Sequence, residues 1–458
     1  MPVSLTLTIV IVLSTIGFMA GLRRAWAVGD GSRRELHSMP LYHGWWVALC
    51  TLLPAVVLVV VLIIIKFPLI DALVWADLPD SYTAGKNRSV VLSRIDAVAA
   101  DIQTRQEVQP VEQAAADRMK RLHNRFDLWM GVVAVGLAMG LGLYANRRIH
   151  RDFRARNLSE RIFLGLLIAC SVVAILTTIG IVFSLASEAL LFFSVVSPQD
   201  FFLGLDWSPQ NAIREDQDVA AGSFGFVPLF TGSLIIAAIA MLVAAPVGLL
   251  SAIYMVEFAP PTVRATAKPV IEILAGVPTV VYGFFAAVTV APIIKGFGES
   301  IGLSVSSESA LAAGSVMGIM IIPFVSSLSD DVISSVPYRL RDAALSLGAT
   351  EGESILKVVL PAALPGLLSA MVLAISRALG ETMIVVMAAG LAANLTANPL
   401  ESVTTITVQI TTVLTGDQPF DSPTTLSAFA LGLALFLVTL VLNILGLRIM
   451  ETYRERYD

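Results

Sequence analysis

The chain of 458 residues is 56% hydrophobic and 14% charged, with a net charge of −5 and a mean hydropathy of +0.80. So little charge, against ~25% in soluble domains, excludes a disordered chain. It also argues against a soluble enzyme, because this much apolar surface calls for a nonaqueous solvent, and the acidic balance provides no basic stripe for nucleic acid.

A bilayer crossing takes about 20 mostly apolar residues. Nine stretches qualify: 3–22, 45–65, 128–145, 162–187, 226–256, 267–294, 309–329, 366–390 and 426–447. The expected class is all-α, a polytopic membrane protein. The first stretch lacks a basic leader and is followed by Arg23 and Arg24, so it reads as an uncleaved anchor with its N-terminus outside. Alternating from there, the inside segments are 23–44, 146–161, 257–268, 330–365 and the tail from Arg448, and they hold 18 of the 30 Lys and Arg. That bias matches the positive-inside rule, and a loop as long as 66–127 translocates regardless of its charge.

Composition divides the chain near residue 161. The first part, 1–161, has three spans and the polar insert 66–127. In that insert Val91, Ile95, Val98 and Ile102 recur at helical spacing, and Pro110 opens a second segment carrying Met119, Leu122 and Phe126. This predicts two amphipathic helices outside the membrane. The plain reading is a hairpin packed on its own bundle; the functional alternative is a platform for an extracytoplasmic partner. Asn87-Arg88-Ser89 matches a glycosylation sequon by composition alone. Cys50 and Cys170 sit in apolar runs as small hydrophobes, and the four histidines have no metal-ligand spacing. No metal or cofactor is expected.

The second part, 162–458, has six spans. Its outside loops are 188–225, with Phe201, Phe202, Trp207, Pro209 and an acidic patch at Glu215, Asp216 and Asp218, and 391–425. Its longest inside loop is 330–365. There Ala343, Ala344, Leu345 and Leu347 favour a short helix with a small-residue face. Gly348 permits the left-handed residue that ends it. Ser354 to Leu360 starts a second helix, and Pro361 marks the return to the membrane. Helix, glycine turn and helix make a stiff knob that a partner groove can approach closely.

The pattern Asp342-Ala343-Ala344, Gly348, Val358, Leu360-Pro361 resembles the coupling-loop motif of ABC importer permeases, with every spacing kept. Asp342 replaces the usual Glu, and Val358 the usual Ile. Three further segments resemble the phosphate-type permeases: 226–260, Leu274 to Gly283, and Ser376-Arg377-Ala378-Leu379-Gly380-Glu381-Thr382-Met383. The Glu-Thr-Met ending is similar to the C-type subunit of the phosphate-specific permease. The likeness covers 225–458 well and 162–225 weakly, while residues 1–161 resemble the extended N-terminal form of that subunit. The resemblance implies a type I importer core of six helices. It also implies a heterodimer with a second permease subunit, a dimer of ATP-binding subunits and a periplasmic phosphate-binding protein. Asp342, Ala343, Ala344, Gly348, Leu360 and Pro361 would then dock on the ATPase.

Arg377 and Glu381 fall within a span that is otherwise uncharged from Val358 to Leu400. Each charge at that depth costs about 2.5–3.5 kcal/mol. At i, i+4 they would share one helix face, in the weaker order for an isolated pair. Two readings stand: an interhelical clamp, or a polar route for an anion. The resemblance implies a role in transport, for which a guanidinium fork suits phosphate. Glu272, near the inner boundary of its span, reads as snorkelling. Pro246, Pro278 and Pro323 should kink their spans, and Gly276 and Gly283 mark candidate close contacts.

No Gly-x-x-x-x-Gly-Lys-Ser/Thr loop occurs, so ATP hydrolysis is expected in a partner chain. The reading is the permease subunit of an ATP-driven importer of inorganic phosphate. A permease for sulfate or molybdate is the alternative, and a secondary anion transporter the rival mechanism. A membrane-embedded enzyme would need convergent His, Asp or Cys in the spans, which the sequence lacks.

Overall fold

In a computed structural model, the described residues are 2–30, 36–79, 82, 88–100, 109–209, 224–416 and 422–453. Among them nine helices are long and apolar enough to cross a membrane, and the only strand-like feature is an isolated bridge between Trp207 and Phe224. Asn87, Ile102, Glu215, Asp216 and Asp218 lie outside the described residues. The helices cluster into two compact units, Met1–Leu176 and Thr177–Asp458.

The first unit holds α1 (Val3–Val28), α2 (Pro40–Ala76), α3 (Arg88–Ala99), α4 (Pro110–Arg147) and the start of α5 (Ala155–Val195). Small residues let α1, α2 and α4 approach closely. A Cβ on Gly21 would lie 2.8 Å from the His43 carbonyl, and one on Gly142 2.6 Å from Thr51 Oγ1. At 37 and 38 residues, α2 and α4 far exceed a bilayer crossing. With α3, one end of each encloses Ile70, Val74, Val91, Ile95, Ala116 and Met119, with Val98, Leu122 and Phe126 packed against them. The apolar face of the insert is thus covered within the unit. Gln109 and Glu112 form a capping box at the start of α4, with Pro110 in its first turn. Glu112 is buried and accepts hydrogen bonds from Tyr82 Oη at 2.5 Å and from Arg94 Nε at 2.9 Å. Burial, then the bond to Glu112, pushes the Tyr82 hydroxyl up to about 12.

The second unit continues with α6 (Pro198–Leu203), α7 (Val227–Ile253), α8 (Pro261–Ala275), α9 (Thr279–Phe285), α10 (Ala291–Ser300) and α11 (Ala310–Ser334). They are followed by α12 (Tyr338–Ser346), α13 (Glu351–Ser354), α14 (Leu360–Leu379), α15 (Met383–Ala388), α16 (Ile406–Leu414) and α17 (Pro423–Tyr453). Its centre is α11, which meets α7 along a glycine seam. A Cβ on Gly314 or Gly318 would lie 2.7 Å from Ile239 or Val243, and one on Gly248 2.8 Å from Val325.

Two expected spans are broken. The stretch 267–294 is not one helix: α8 ends at Ala275, and Gly276, Val277 and Pro278 intervene before α9. Pro278 is the cause, because it drives Val277 out of the helical region. Pro278 therefore separates two helices and does not kink one, whereas Pro246 and Pro323 do lie inside α7 and α11. Glu272 sits exposed on α8, outside the crossing helix Thr279–Ser300. Gly283 marks a close contact, its Cβ position being 2.9 Å from the Met383 carbonyl, while Gly276 faces only its own Ile273 carbonyl at 3.3 Å. The stretch 366–390 breaks at Gly380 to Thr382, between α14 and α15.

Of three π-helical segments, Tyr254–Phe258, Ile355–Val359 and Ala286–Val290, the last two share one sequence cause. Each ends two residues before a proline: Pro260, Pro361 and Pro292. Proline lacks an N–H, and its ring clashes with the carbonyl four residues back. That carbonyl belongs to the third residue of the segments before Pro361 and Pro292, where a wider turn moves it aside, whereas Pro260 stands in extended backbone past the helix end and makes no such clash.

α8 buries none of its side chains and is held to α11 by charge. Asp330, 2% exposed, accepts from Arg264 Nη2 at 3.0 and 3.2 Å and from Lys268 Nζ at 2.8 Å. Asp330→Ala should free α8 and cost about 1–3 kcal/mol. Breaking a buried pair costs ~3–5 kcal/mol, reduced here because both cations are about one-third exposed. Thermal unfolding in detergent and proteolysis within 261–275 would read this. The bond to Asp330 raises the Lys268 ammonium above its usual range. Its contribution is therefore complete below the ordinary lysine value and is lost only as pH rises through the raised one.

Candidate functional site

The 330–365 loop folds as a compact elbow. α12 ends in a Schellman motif: the Ala349 N–H donates to the Ala344 carbonyl at 3.1 Å and the Gly348 N–H to the Leu345 carbonyl at 2.9 Å. Gly348 takes φ +87°, the left-handed conformation this turn requires. Thr350 and Glu353 then form a capping box that starts α13. The second helix thus begins at Glu351 and not at Ser354, and the Thr-x-x-Glu spacing is the signal for it.

The motif residues sort by exposure. Asp342, Ala343, Gly348 and Pro361 are exposed, Leu360 is half-buried and Ala344 is buried. The elbow also presents Leu347 at 90% exposure and Tyr338 at 70%. An apolar tip beyond the end of α12 has no packing of its own and is suited to a partner groove.

Arg377 and Glu381 are not joined. α14 stops at Leu379, so the i, i+4 geometry is lost, and among the described residues no ion pair links the two side chains. Arg377 is exposed, with its guanidinium 5.3 Å from the centroid of the Phe324 ring. Glu381, half-buried in the break, accepts from the Met383 N–H at 3.2 Å, and its carbonyl accepts from Thr407 Oγ1 at 2.9 Å. The carboxylate braces the irregular turn, and the cation stays exposed over the Phe324 ring.

Sequence reasoning missed two polar ties beside the elbow. One is the Asp330 cluster. The other joins Arg341 to Glu257 at 2.8 Å, each side chain 11% exposed. Neither has a spacing signal, since their partners lie 62 to 84 positions apart.

Known families match both ends of the chain. The model described as "Phosphate ATP-binding cassette transporter" matches residues 7–177. The model described as "Binding-protein-dependent transport system inner membrane component" matches residues 244–456, which include the elbow and the broken span. Over these two stretches the chain is similar to the membrane components of ABC transporters. It is a multi-pass protein of the inner membrane.

This chain is 35% identical to the probable ABC transporter permease protein YqgH of Bacillus subtilis over 195 residues, 42% of its length and 59% of that protein. It is 30% identical to the phosphate transport system permease protein PstC of Xylella fastidiosa strain Temecula1 over 181 residues, 35% of this chain and 51% of that protein. The chain thus spans between half and three-fifths of the length of these relatives. A crystal structure of a bacterial ABC transporter involved in the import of the acidic polysaccharide alginate covers 66% of this chain and 100% of that one, with 16% identity and a TM-score of 0.45.

Proposed function

We propose that this permease is a subunit of an ATP-driven importer of inorganic phosphate. It pairs with a second, different permease subunit, and it takes its stroke from a dimer of ATP-binding subunits on the cytoplasmic side. A periplasmic phosphate-binding protein delivers the anion from outside. Residues 1–161 form an N-terminal extension and 162–458 the permease domain.

The observation that carries this reading is the elbow: a rigid turn at Gly348 that holds an apolar tip, Leu347, almost wholly free. Asp342, Ala343, Ala344 and Gly348 form the docking knob, and Leu360 and Pro361 connect it to the span. Arg377 and Glu381 belong to the substrate pathway. A guanidinium held open by a broken helix offers two parallel donors to an oxyanion. Glu381, whose carboxylate is not paired with Arg377, moderates that affinity so that the anion can leave. Phosphate is favoured among oxyanions by the N-terminal match and by the curated relatives.

Cysteines at 344 and 348 should cross-link to a co-expressed ATPase subunit. In the reconstituted complex, ATP hydrolysis should rise with phosphate and not with sulfate or molybdate. An elbow that reaches no ATPase sinks the reading, and stimulation by sulfate alone reassigns the substrate.

A further inference from the structure

Arg341 precedes the docking motif, yet its side chain turns inward. Nε and Nη2 both donate to Glu257 Oε1, at 3.1 and 2.8 Å. Nη1 donates to the Val336 carbonyl at 2.8 Å and Nη2 to the Ile333 carbonyl at 3.0 Å. The guanidinium also lies 5.7 Å from the centroid of the Tyr338 ring. One planar group therefore ties together three elements: the first turns of α12, the end of α11, and the π segment that continues α7.

α12 buries only Ala344, and its Leu340 packs against the buried cluster of Ile333, Val336 and Val359, so the polar tie adds direction to an apolar grip. The carbonyls of Ile333 and Val336 lie at the end of α11, where helical partners run out. Glu257 sits in a π segment ahead of Pro260, at a fixed place on the backbone. A fork with several donors in one plane resists rotation and sliding better than a single ammonium. α7 and α11 meet along their glycine seam, so displacement delivered to either is shared.

We infer that the Arg341–Glu257 pair is the strut that transmits movement of the elbow to the spans α7 and α11. Arg341 acts as a positioning residue: it touches neither the anion nor nucleotide. The inference rests on the importer reading and assigns the path of its stroke.

The test uses the complete importer in proteoliposomes, with phosphate moved per ATP hydrolysed as the readout. Arg341→Ala and Glu257→Gln should each lower that ratio about tenfold, the scale of an ordinary coupling between sites, with ATP hydrolysis and complex recovery retained. The double variant should lose no more than either single one, because both remove the same link. Wild-type ratios in the single variants, or losses that multiply in the double, overturn the strut. Should Arg341→Ala not assemble, the isosteric Glu257→Gln decides alone. A wild-type complex that moves no phosphate with ATP overturns the importer reading itself, and the strut with it.

Discussion

Arg377→Ala should abolish uptake while the complex is recovered in normal yield. The fold should tolerate this change because Arg377 is exposed and, among the described residues, has no carboxylate partner. What is lost is its contact with the Phe324 ring, worth about 0.5–2 kcal/mol. That loss is offset by removing a cation whose insertion costs about 2.5–3.5 kcal/mol. No buried acid is orphaned, since Glu381 bonds the Met383 N–H instead. Transport, in contrast, loses the only guanidinium between Lys357 and Arg448. Arg377→Lys keeps the charge without the fork and should recover a small part of the rate. Uptake and complex recovery are to be measured on the same preparation. Undiminished uptake in Arg377→Ala would remove this residue from the anion route.

Gly348→Val should uncouple the motor from the gate. At φ +87° a residue with a Cβ costs about 1–2 kcal/mol, more when β-branched. The chain can escape that cost by reopening the turn, which redirects Leu347 and breaks the bonds that close α12. No atom lies within 4 Å of the Cβ position, so a clash would not explain a loss. Gly302, at φ +80° and equally open, is the matched control: Gly302→Val carries a similar backbone cost far from the elbow. We expect transport to fall at least ~10-fold in the first variant and to remain near normal in the second. Equal effects would show that general instability, not the elbow, is responsible.

Hydropathy alone located the nine helices that, among the described residues, are long and apolar enough to cross a membrane, because a bilayer demands long apolar runs whatever the packing. It erred where the chain stays apolar but the backbone stops. The breaks after Ala275 and Leu379 are hidden in hydropathy, although Gly276-Val277-Pro278 offered a local warning. No such warning marks Gly380-Glu381-Thr382, where Thr407, from a distant segment, holds the turn. The elbow was readable because its determinants are local: a glycine at the end of a helix, then a capping threonine. The Asp330 and Arg341 ties were not, since contacts across more than 60 positions leave no periodic trace. Glu381 shows the limit most plainly. Its spacing from Arg377 promised a pair, and the helix end at Leu379, two residues past the arginine, dissolved it.

The prolines that follow the widened turns have a further effect on aim. An ordinary helix rotates about 100° per residue, so one surplus residue shifts the azimuth of everything beyond it. Pro361 forbids the regular turn that would undo that shift. The phase in which the polypeptide leaves the lipid and enters its bend is thereby locked by a residue that donates no bond at all, and a missing amide becomes the reference mark from which the protruding leucine is pointed.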